Sequence, residues 1–532
     1  MGESRPPTAG TVHPDLGILA ALSIRNDPAT TPVIVGIGEI VDRPADPVLG
    51  LEPVALMANA MRRADEDAGG GLLARVDSLS IVNQVTWGYD DIVAQLLVTL
   101  GIAPRHAFYG PVGGESPIRY LHEAAVRIAA GQSRVAAVCG GEAQSTLSRA
   151  QKAKLDLPWT PGVPSPPRKG AGSYTHPLAV RLGVSRPVTV YPLYDGATAA
   201  AWGQTPREAL RESGELWSRY AAVAADNPYA WLGKPLSAEE IVTPSASNRR
   251  IAHPYTKLLV ANPTVNQGAA VLVTSLAEAR AHGIAEERLV YIWGGAAASE
   301  PVDFVQRDRY DRSLAQEAVL GAAQRLVEHE DTETGAIELY SCFPVVPKMT
   351  RRILDLPADA VPTTTGGLTF FGGPLNDYMT HATCGMVRHL RARAGGDRPG
   401  LLYGQGGFLT KHHALVVGLR PPRTMVTAAS EATQAEVEAK RCPVPPLDAD
   451  IARGVATVEA HTVLYDREGA PEHGVVVLRL PDGSRTLARV DGADGDGIAR
   501  LTDADRSPIG TKGELSRGAG GADDVAGWHP SE

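Results

Sequence analysis

Residues 113–145 read GGESPIRYLHEAAVRIAAGQSRVAAVCGGEAQS, and the fold is decided here. A glycine pair, Gly113-Gly114, opens the stretch. Pro117 then sits in the first turn of a helical pattern, where its missing N–H is tolerated. The periodicity predicts a helix from Ser116 to Ala130, and the apolar run RVAAVCG that follows predicts a strand ending at Gly140-Gly141. A turn, an amphipathic helix and an apolar strand in that order form the repeating unit of a mostly parallel sheet with helices on its faces.

The same rhythm runs outward in both directions. Upstream, TPVIVGIGEI reads as a strand, Pro53 to Ala64 as a helix, VDSLSIVN as a strand and Asp91 to Leu100 as a helix. Downstream, residues 147–262 break the pattern with a Pro-rich segment (Pro158 to Pro167), the aromatics Tyr191, Tyr194, Trp202, Trp217 and Tyr220, and two helical patterns. An insertion of this length predicts a lid or a substrate-binding lobe. Strands resume at GAAVLVTS and LVYIWGG. A helix from Ser313 to His329, the strand AIELYSCF, a helix from Asn376 to Arg393, and strands at GLLYG and ALVVGL follow. The halves echo each other. Gly113, Gly114 and Pro117 precede one helix, whose strand ends at Gly140-Gly141; Gly372, Gly373 and Pro374 precede another, followed by a strand and Gly406-Gly407. Such self-similarity predicts duplication.

The remainder of the chain reads differently. Residues 1–30 read as a loose, flexible extension, and 421–446 as a linker that is Pro-rich from Cys442 to Pro446. From 447 to 517, AHTVLYD, HGVVVLRL, the turn Pro481-Asp482-Gly483 and SRTLARV predict β-hairpins with no helix among them, hence a small antiparallel, OB-like β-barrel. Residues 518–532 read as a disordered tail.

Composition narrows the function. The chain has 532 residues and a formal net charge of -9, which opposes the basic face a nucleic-acid binder needs. No apolar run is long enough to span a membrane, and the polar, Pro-rich start has no signal-peptide core. A cytoplasmic protein without membrane insertion is expected. Cys139, Cys342, Cys384 and Cys442 form no CxxC pair, so neither a zinc site nor a disulfide framework is predicted.

Five landmarks in order resemble the thiolase superfamily over residues 31–420, specifically its SCP2-thiolase-like branch. GGESPIRYLHEAAVRIAAGQSRVAAVCGGEAQS resembles the segment that opens at the nucleophilic cysteine. NRRIAHPYTKLLVANPTVNQGAAVLVTS resembles the approach to the second half. ELYSCFP stands in place of E-x-H-D-C-F, GGLTFFGGP in place of G-G-x-x-x-x-G-H-P, and GQGG in place of the final glycine loop. With the C-terminal β domain, the chain is similar to the thiolase-like protein type 1 group. The resemblance implies a duplicated thiolase fold: two βαβαβαββ halves (31–275 and 276–420), layered α-β-α-β-α, then the barrel. It further implies a protein related to acetyl-CoA acetyltransferases and other acyltransferases of lipid metabolism, with no tightly bound cofactor and a coenzyme A thioester as ligand, working as a monomer or homodimer.

The chemistry-bearing positions depart from that family. Gly114 stands for the acylated cysteine, Tyr340 for the histidine and Ser341 for the aspartate of the H-D-C-F motif, and Gly373 for the histidine of G-H-P. Tyr403 and Gly404 stand where a last cysteine is expected. Ordinary thiolysis or Claisen condensation needs a thiolate and a histidine to activate it. The candidate catalytic residues are therefore Glu115 as base, set against its reading as a helix-start acid; Tyr340 as acid/base, set against a space-filling aromatic; and His412, set against a structural histidine. Cys342 matches a family position that is not the nucleophile. His381 and Cys384 share a helix face but have no third ligand, so no metal is expected. Arg249, Arg250 and Lys257 are candidates for CoA phosphates or a solvated basic face, and Gly372 and Gly406 line the loops around the ligand. Three functions stay open: an acyl-CoA protein with non-cysteine chemistry, an aldolase-type carbon–carbon lyase with a tyrosine acid/base, and a non-catalytic CoA-ester-binding module.

Overall fold

The computed structural model describes residues 27–163, 174–393, 396–423, 430–451, 453–516 and 525–531. Its strands, in chain order, are β1 Pro32–Val41, β2 Ser78–Ile81, β3 His106–Tyr109, β4 Val135–Ala143, β5 Arg250–Ala252, β6 Tyr255–Thr256, β7 Asn266–Ser275 and β8 Val290–Ser299. They continue as β9 Ala336–Leu339, β10 Gly400–Gly406, β11 Lys411–Gly418, β12 Gly454–Tyr465, β13 Pro471–Arg479, β14 Arg485–Asp491, β15 Lys512–Ser516 and β16 Gly527–Pro530.

The apolar runs read from sequence become the most buried strands: all ten residues of β7 and all nine of β4 are buried. They are buried along their whole length because helices cover both faces of the sheet. One half runs β3-β2-β4-β7-β1 and the other β9-β10-β11-β8, each read from its outer edge inward. Both place their first strand innermost and their last strand beside it, which is the predicted duplication expressed as topology. The halves meet where Val33 pairs with Tyr291 and Ile34 with Val290. Helix Pro53–Asp67 packs outside β1, β7 and β4, and helix Leu314–His329 outside β8 and β11. Helices Ser116–Ala129 and Tyr378–Arg391 pack against each other and against strands of both halves. The layers are α-β-α-β-α.

The second half departs from the expected strand count. Among the described residues it has four strands, β8 to β11, not five. Where the third would lie, Leu339 N–H donates to the Pro362 carbonyl (3.0 Å), but the next residues turn away from pairing. The buried Glu338 carboxylate takes the N–H groups of Thr364 (2.7 Å) and Thr365 (3.1 Å), so those donors are unavailable to a ladder.

The C-terminal barrel closes through β12-β13-β14-β16-β15 and back to β12. A register shift at Val458/Ala460 lets β12 serve both ends of the closure. Three sequence expectations are corrected here. The Gly495–Leu501 helix lies within the barrel, capped by Asp494 accepting from Gly497 N–H. Residues 527–530 form β16 with Trp528 fully buried, whereas the tail was expected to be disordered; residues 518–524 and 532 lie outside the described residues. The 421–446 linker contains helix Ser430–Lys440, whose Gln434 side chain bonds both the N–H and the carbonyl of Ser299 at the end of β8. Of the N-terminal extension, residues 1–26 lie outside the described residues.

The insertion folds as a helical lobe, with Pro187–Ala201 and Pro206–Asp226 as its long helices. It ends in the β5–β6 hairpin, which extends the barrel sheet through the pairing of Ala252 with Leu464. No helix among the described residues is long and apolar enough to cross a membrane.

Candidate functional site

The candidate site lies at the start of the Ser116–Ala129 helix, where the loop carrying Gly113 and Gly114 meets the ends of β9 and β10. Asn376 fixes this loop from the other half: its side-chain carbonyl accepts from Gly113 N–H (3.0 Å) and its amide donates to Asn83 O (2.9 Å).

Gly114 has no room for a side chain. A Cβ built there falls 2.3 Å from Tyr340 Oη, 2.7 Å from its Cζ and 2.6 Å from the Gln405 carbonyl oxygen. The phenol of Tyr340 thus occupies the space that a nucleophile at position 114 would need. Tyr340 is buried, and its ring lies edge-on to Tyr378 (5.9 Å). Burial, with Cys342 and Glu115 nearby, holds its pKa well above 10, so it is a proton donor at neutral pH.

Glu115 points into the same space. A Cβ on Gly406 would lie 2.2 Å from Glu115 Oε2, and one on Gly113 2.5 Å from the same oxygen, so the carboxylate lies against both glycines. Glu115 is 3% exposed and its Oε2 has no hydrogen-bond partner among the described residues. Desolvation raises its pKa, opposed by Lys411 and Arg119. Lys411 also ties the loop by donating to Val112 O (2.8 Å).

Behind Tyr340 the polar groups are linked. Gln405 Nε2 donates to Tyr191 Oη (2.7 Å) and contacts Cys342 Sγ (3.2 Å), while Tyr191 donates to Gly407 O (3.0 Å). Burial pushes the Cys342 thiol up to about 12, so it is no thiolate at neutral pH. Ser341 Oγ accepts from Leu368 N–H (3.2 Å).

The structure brings together Glu115, Tyr340, Gly114 and Gly406 but not His412. Residues alternate faces along β11: His413 meets His122 of the central helix (3.2 Å), so His412 faces the outer layer. There it bonds Tyr403 Oη (2.7 Å), Leu409 O (2.9 Å) and Ser313 Oγ (3.3 Å), and burial pulls its pKa down to about 4. Gly372 has φ +117° and turns against Gln267 and Val265. Gly373 has its nearest non-neighbour atom at 3.3 Å. Arg249, Arg250 and Lys257 are all exposed; Lys257 N–H bonds Arg249 O, and the guanidinium of Arg250 lies over Tyr465 of the barrel at 5.7 Å. His381 is bound to Glu39 (2.5 Å) in a sealed network, and no group of ligating side chains suited to a metal occurs among the described residues. Sequence reasoning missed Asn376, Gln405 and Lys411, whose roles arise from contacts across 263, 63 and 299 residues.

Comparison with known proteins agrees with this fold. Residues 433–518 match the family model described as the thiolase-like protein type 1 additional C-terminal domain. The crystal structure of a monomeric SCP2-thiolase-like protein type 1 from Mycobacterium smegmatis is similar at 29% identity and TM-score 0.79, covering 95% of this chain and all of that one. An Ltp2–ChsH2(DUF35) aldolase matches at 19% identity and TM-score 0.55, over 73% of this chain and 98% of its own. Human mitochondrial 3-ketoacyl-CoA thiolase matches at 15% identity and TM-score 0.52, over 74% of this chain and 99% of its own. At those identities the last two show a shared fold. No curated protein matches the chain.

Proposed function

From a chain with the thiolase fold and the additional C-terminal domain of thiolase-like protein type 1, we infer an acyl-CoA thioester protein that works without an acyl-enzyme. The observation carrying this reading is the Tyr340 phenol standing 2.3 Å from where a side chain on Gly114 would begin. No thiolate fits there, and the nearby Cys342 is held protonated. The thioester reading is supported by the fold shared with 3-ketoacyl-CoA thiolase, one form of which is described in complex with CoA. Arg249 and Lys257, exposed side by side, are the proposed phosphate contacts. Arg250, engaged with Tyr465, is assigned to the domain seam instead.

The reaction this pair of groups suits best is carbon–carbon cleavage of a β-hydroxyacyl thioester. Glu115 takes the hydroxyl proton as the Cα–Cβ bond breaks, its electrons passing into the thioester enolate. Tyr340 donates its hydroxyl to that oxyanion, and Cα regains the proton. The products are a carbonyl compound and a shortened acyl thioester. We take the chain to be a monomer, as the M. smegmatis protein is described.

Calorimetry with acetyl-CoA, a long-chain acyl-CoA and a steroid-side-chain CoA ester tests binding. Micromolar affinity for any of them is expected, and no binding to all three refutes the ligand class. For the bond-breaking step, Tyr340→Phe is expected to lose retro-aldol turnover by about a hundredfold with affinity retained. Binding without turnover across a β-hydroxyacyl-CoA panel would leave a binding module. A covalent acyl adduct in intact-mass spectra would overturn the non-covalent reading.

A further inference from the structure

The glycine loop that bounds Glu115 is held from outside by the barrel. Residues 406–410 turn sharply after β10, and Leu409 adopts φ +56°, a left-handed conformation that a branched side chain rarely takes. Such a residue persists only where its surroundings over-determine it. Here they do. Arg307, 1% exposed, donates to Leu409 O (2.8 Å), which His412 Nε2 also meets at 2.9 Å. Tyr194 Oη donates to Phe408 O (3.1 Å), and the Phe408 ring packs edge-on against Phe304 (6.3 Å). Arg307 and Phe304 belong to one segment, 304–307.

That segment is in turn pinned by the barrel. Arg485, at the start of β14, is fully buried, and its guanidinium donates to Val305 O (2.9 Å) and Arg307 O (2.5 Å). Its other side bonds Glu459 (2.9 Å) within the barrel, and its plane lies over Tyr310 at 4.8 Å. Tyr310 packs on Tyr194 (5.7 Å), the same residue that bonds the loop and lies under Arg307 (5.5 Å). Two buried guanidinium groups and two tyrosines therefore form a continuous path from barrel to glycine loop. At its end, Gly406 passes so near Glu115 that a Cβ would stand 2.2 Å from Oε2.

We propose that Arg485 and Arg307 are positioning residues, through which the C-terminal barrel fixes the 406–410 loop and thereby the room around Glu115. The link to Glu115 rests on the function proposed above; the link to the loop does not. An arginine suits this task at position 485 because Nη1 reaches both carbonyls while Nε, on the other edge of the same rigid plane, bonds Glu459, a span that a single ammonium nitrogen does not cover.

Hydrogen exchange on the full-length protein tests it. Arg485→Lys keeps the charge and loses the fork. It is expected to speed exchange of peptide 404–410, where Thr410 N–H is bonded to Gly406 O (3.1 Å), by about tenfold, with β7 protected as in the parent. Arg307→Lys is expected to do the same. Arg207→Ala removes an exposed ion pair between the lobe and the barrel, Arg207 with Asp505, and is expected to leave the loop unchanged. Unchanged loop exchange in a folded Arg485→Lys protein overturns the proposal. So does an equal rise in Arg207→Ala, since that means any loosening of the barrel suffices. Acyl-CoA affinity measured on the same variants is expected to fall with loop protection. If the parent binds no acyl-CoA, the functional reading fails while the exchange result still decides the positioning role.

Discussion

Installing a cysteine at position 114 alone is expected to damage the protein, and the damage is expected to depend on Tyr340. The built Cβ lies 2.3 Å from Tyr340 Oη, 2.7 Å from its Cζ and 2.6 Å from the Gln405 carbonyl, against a floor near 3.0 Å for real contacts. The sulfur must then find space beyond that. Overpacking of a filled core costs about 1–3 kcal/mol, and Gly114→Cys belongs at the upper end because two of its three close contacts are with the rigid, buried ring of Tyr340. Tyr340→Ala removes two of the three contacts, so the cysteine is expected to cost about 1 kcal/mol in that background. Tyr340→Phe removes only the nearest atom and falls between. The double-mutant cycle therefore predicts a coupling of about 2 kcal/mol. Urea unfolding followed by circular dichroism reads it, provided the slope against denaturant is unchanged across the four proteins. Additive effects, within about 0.5 kcal/mol, would refute the claim that the tyrosine fills the nucleophile's place.

Three further expectations follow from buried groups. Lys348 is fully buried and donates to Asp195 (2.6 Å), which also accepts from Tyr255 (2.6 Å). Lys348→Met leaves that carboxylate without its cation and is expected to cost about 3–5 kcal/mol in urea unfolding, with Asp195→Asn/Lys348→Met costing less than the sum of the two singles. Glu115 has its folded pKa raised above the ordinary 4.5 by burial, so the unfolded chain ionises first and stability falls as pH rises through that window. Glu115→Gln is accordingly expected to raise the melting temperature at pH 7 and to change it little at pH 4; a larger gain at pH 4 contradicts the sign. Trp528, fully buried at the barrel's closing strand, is expected on replacement by alanine to cost about 3–5 kcal/mol, read as a lowered barrel transition in calorimetry.

The two halves of the fold were legible because their signal is local. Glycine turns, helical periodicity and apolar runs at 113–145 and again at 372–407 each report on a few neighbouring residues, and topology repeats them. What escaped was decided at a distance. Trp528 sits in a Gly- and Asp-rich tail with no strand pattern, and becomes β16 only because β14 and β15 offer it a gap to close. The missing third strand of the second half is hidden in a carboxylate, Glu338, that captures amides 26 and 27 residues later. His412 and His413 are equivalent in sequence. Alternation predicts that one faces each way, but which one faces the site depends on the register of β11 against β10, where Gly404 pairs with His413.

The substitutions at the candidate site fit one another, and that bears on whether its chemistry was lost or replaced. Random decay of a catalytic site leaves mismatched neighbours, such as a cavity where a side chain shrank. Gly114 and Tyr340 instead interlock, since the phenol stands where a side chain at position 114 would be. Ser341 finds a backbone donor in Leu368, and Gln405 bridges Tyr191 and Cys342. Among the described residues, the buried acceptors here without a partner are Glu115 Oε2 and Gln405 Oε1. A buried acceptor without a donor costs about 1–3 kcal/mol, a debt that a ligand hydroxyl could relieve on entering. A β-hydroxyacyl thioester brings such a donor, whereas a simple acyl thioester does not. Affinity is therefore expected to be higher for a β-hydroxyacyl-CoA than for its saturated counterpart, and Glu115→Gln, which keeps an acceptor but cannot take the proton, is expected to bind the hydroxy ester without turning it over. Equal affinity for the two esters in calorimetry would remove the hydroxyl from the argument and, with it, the case for Glu115 as the base.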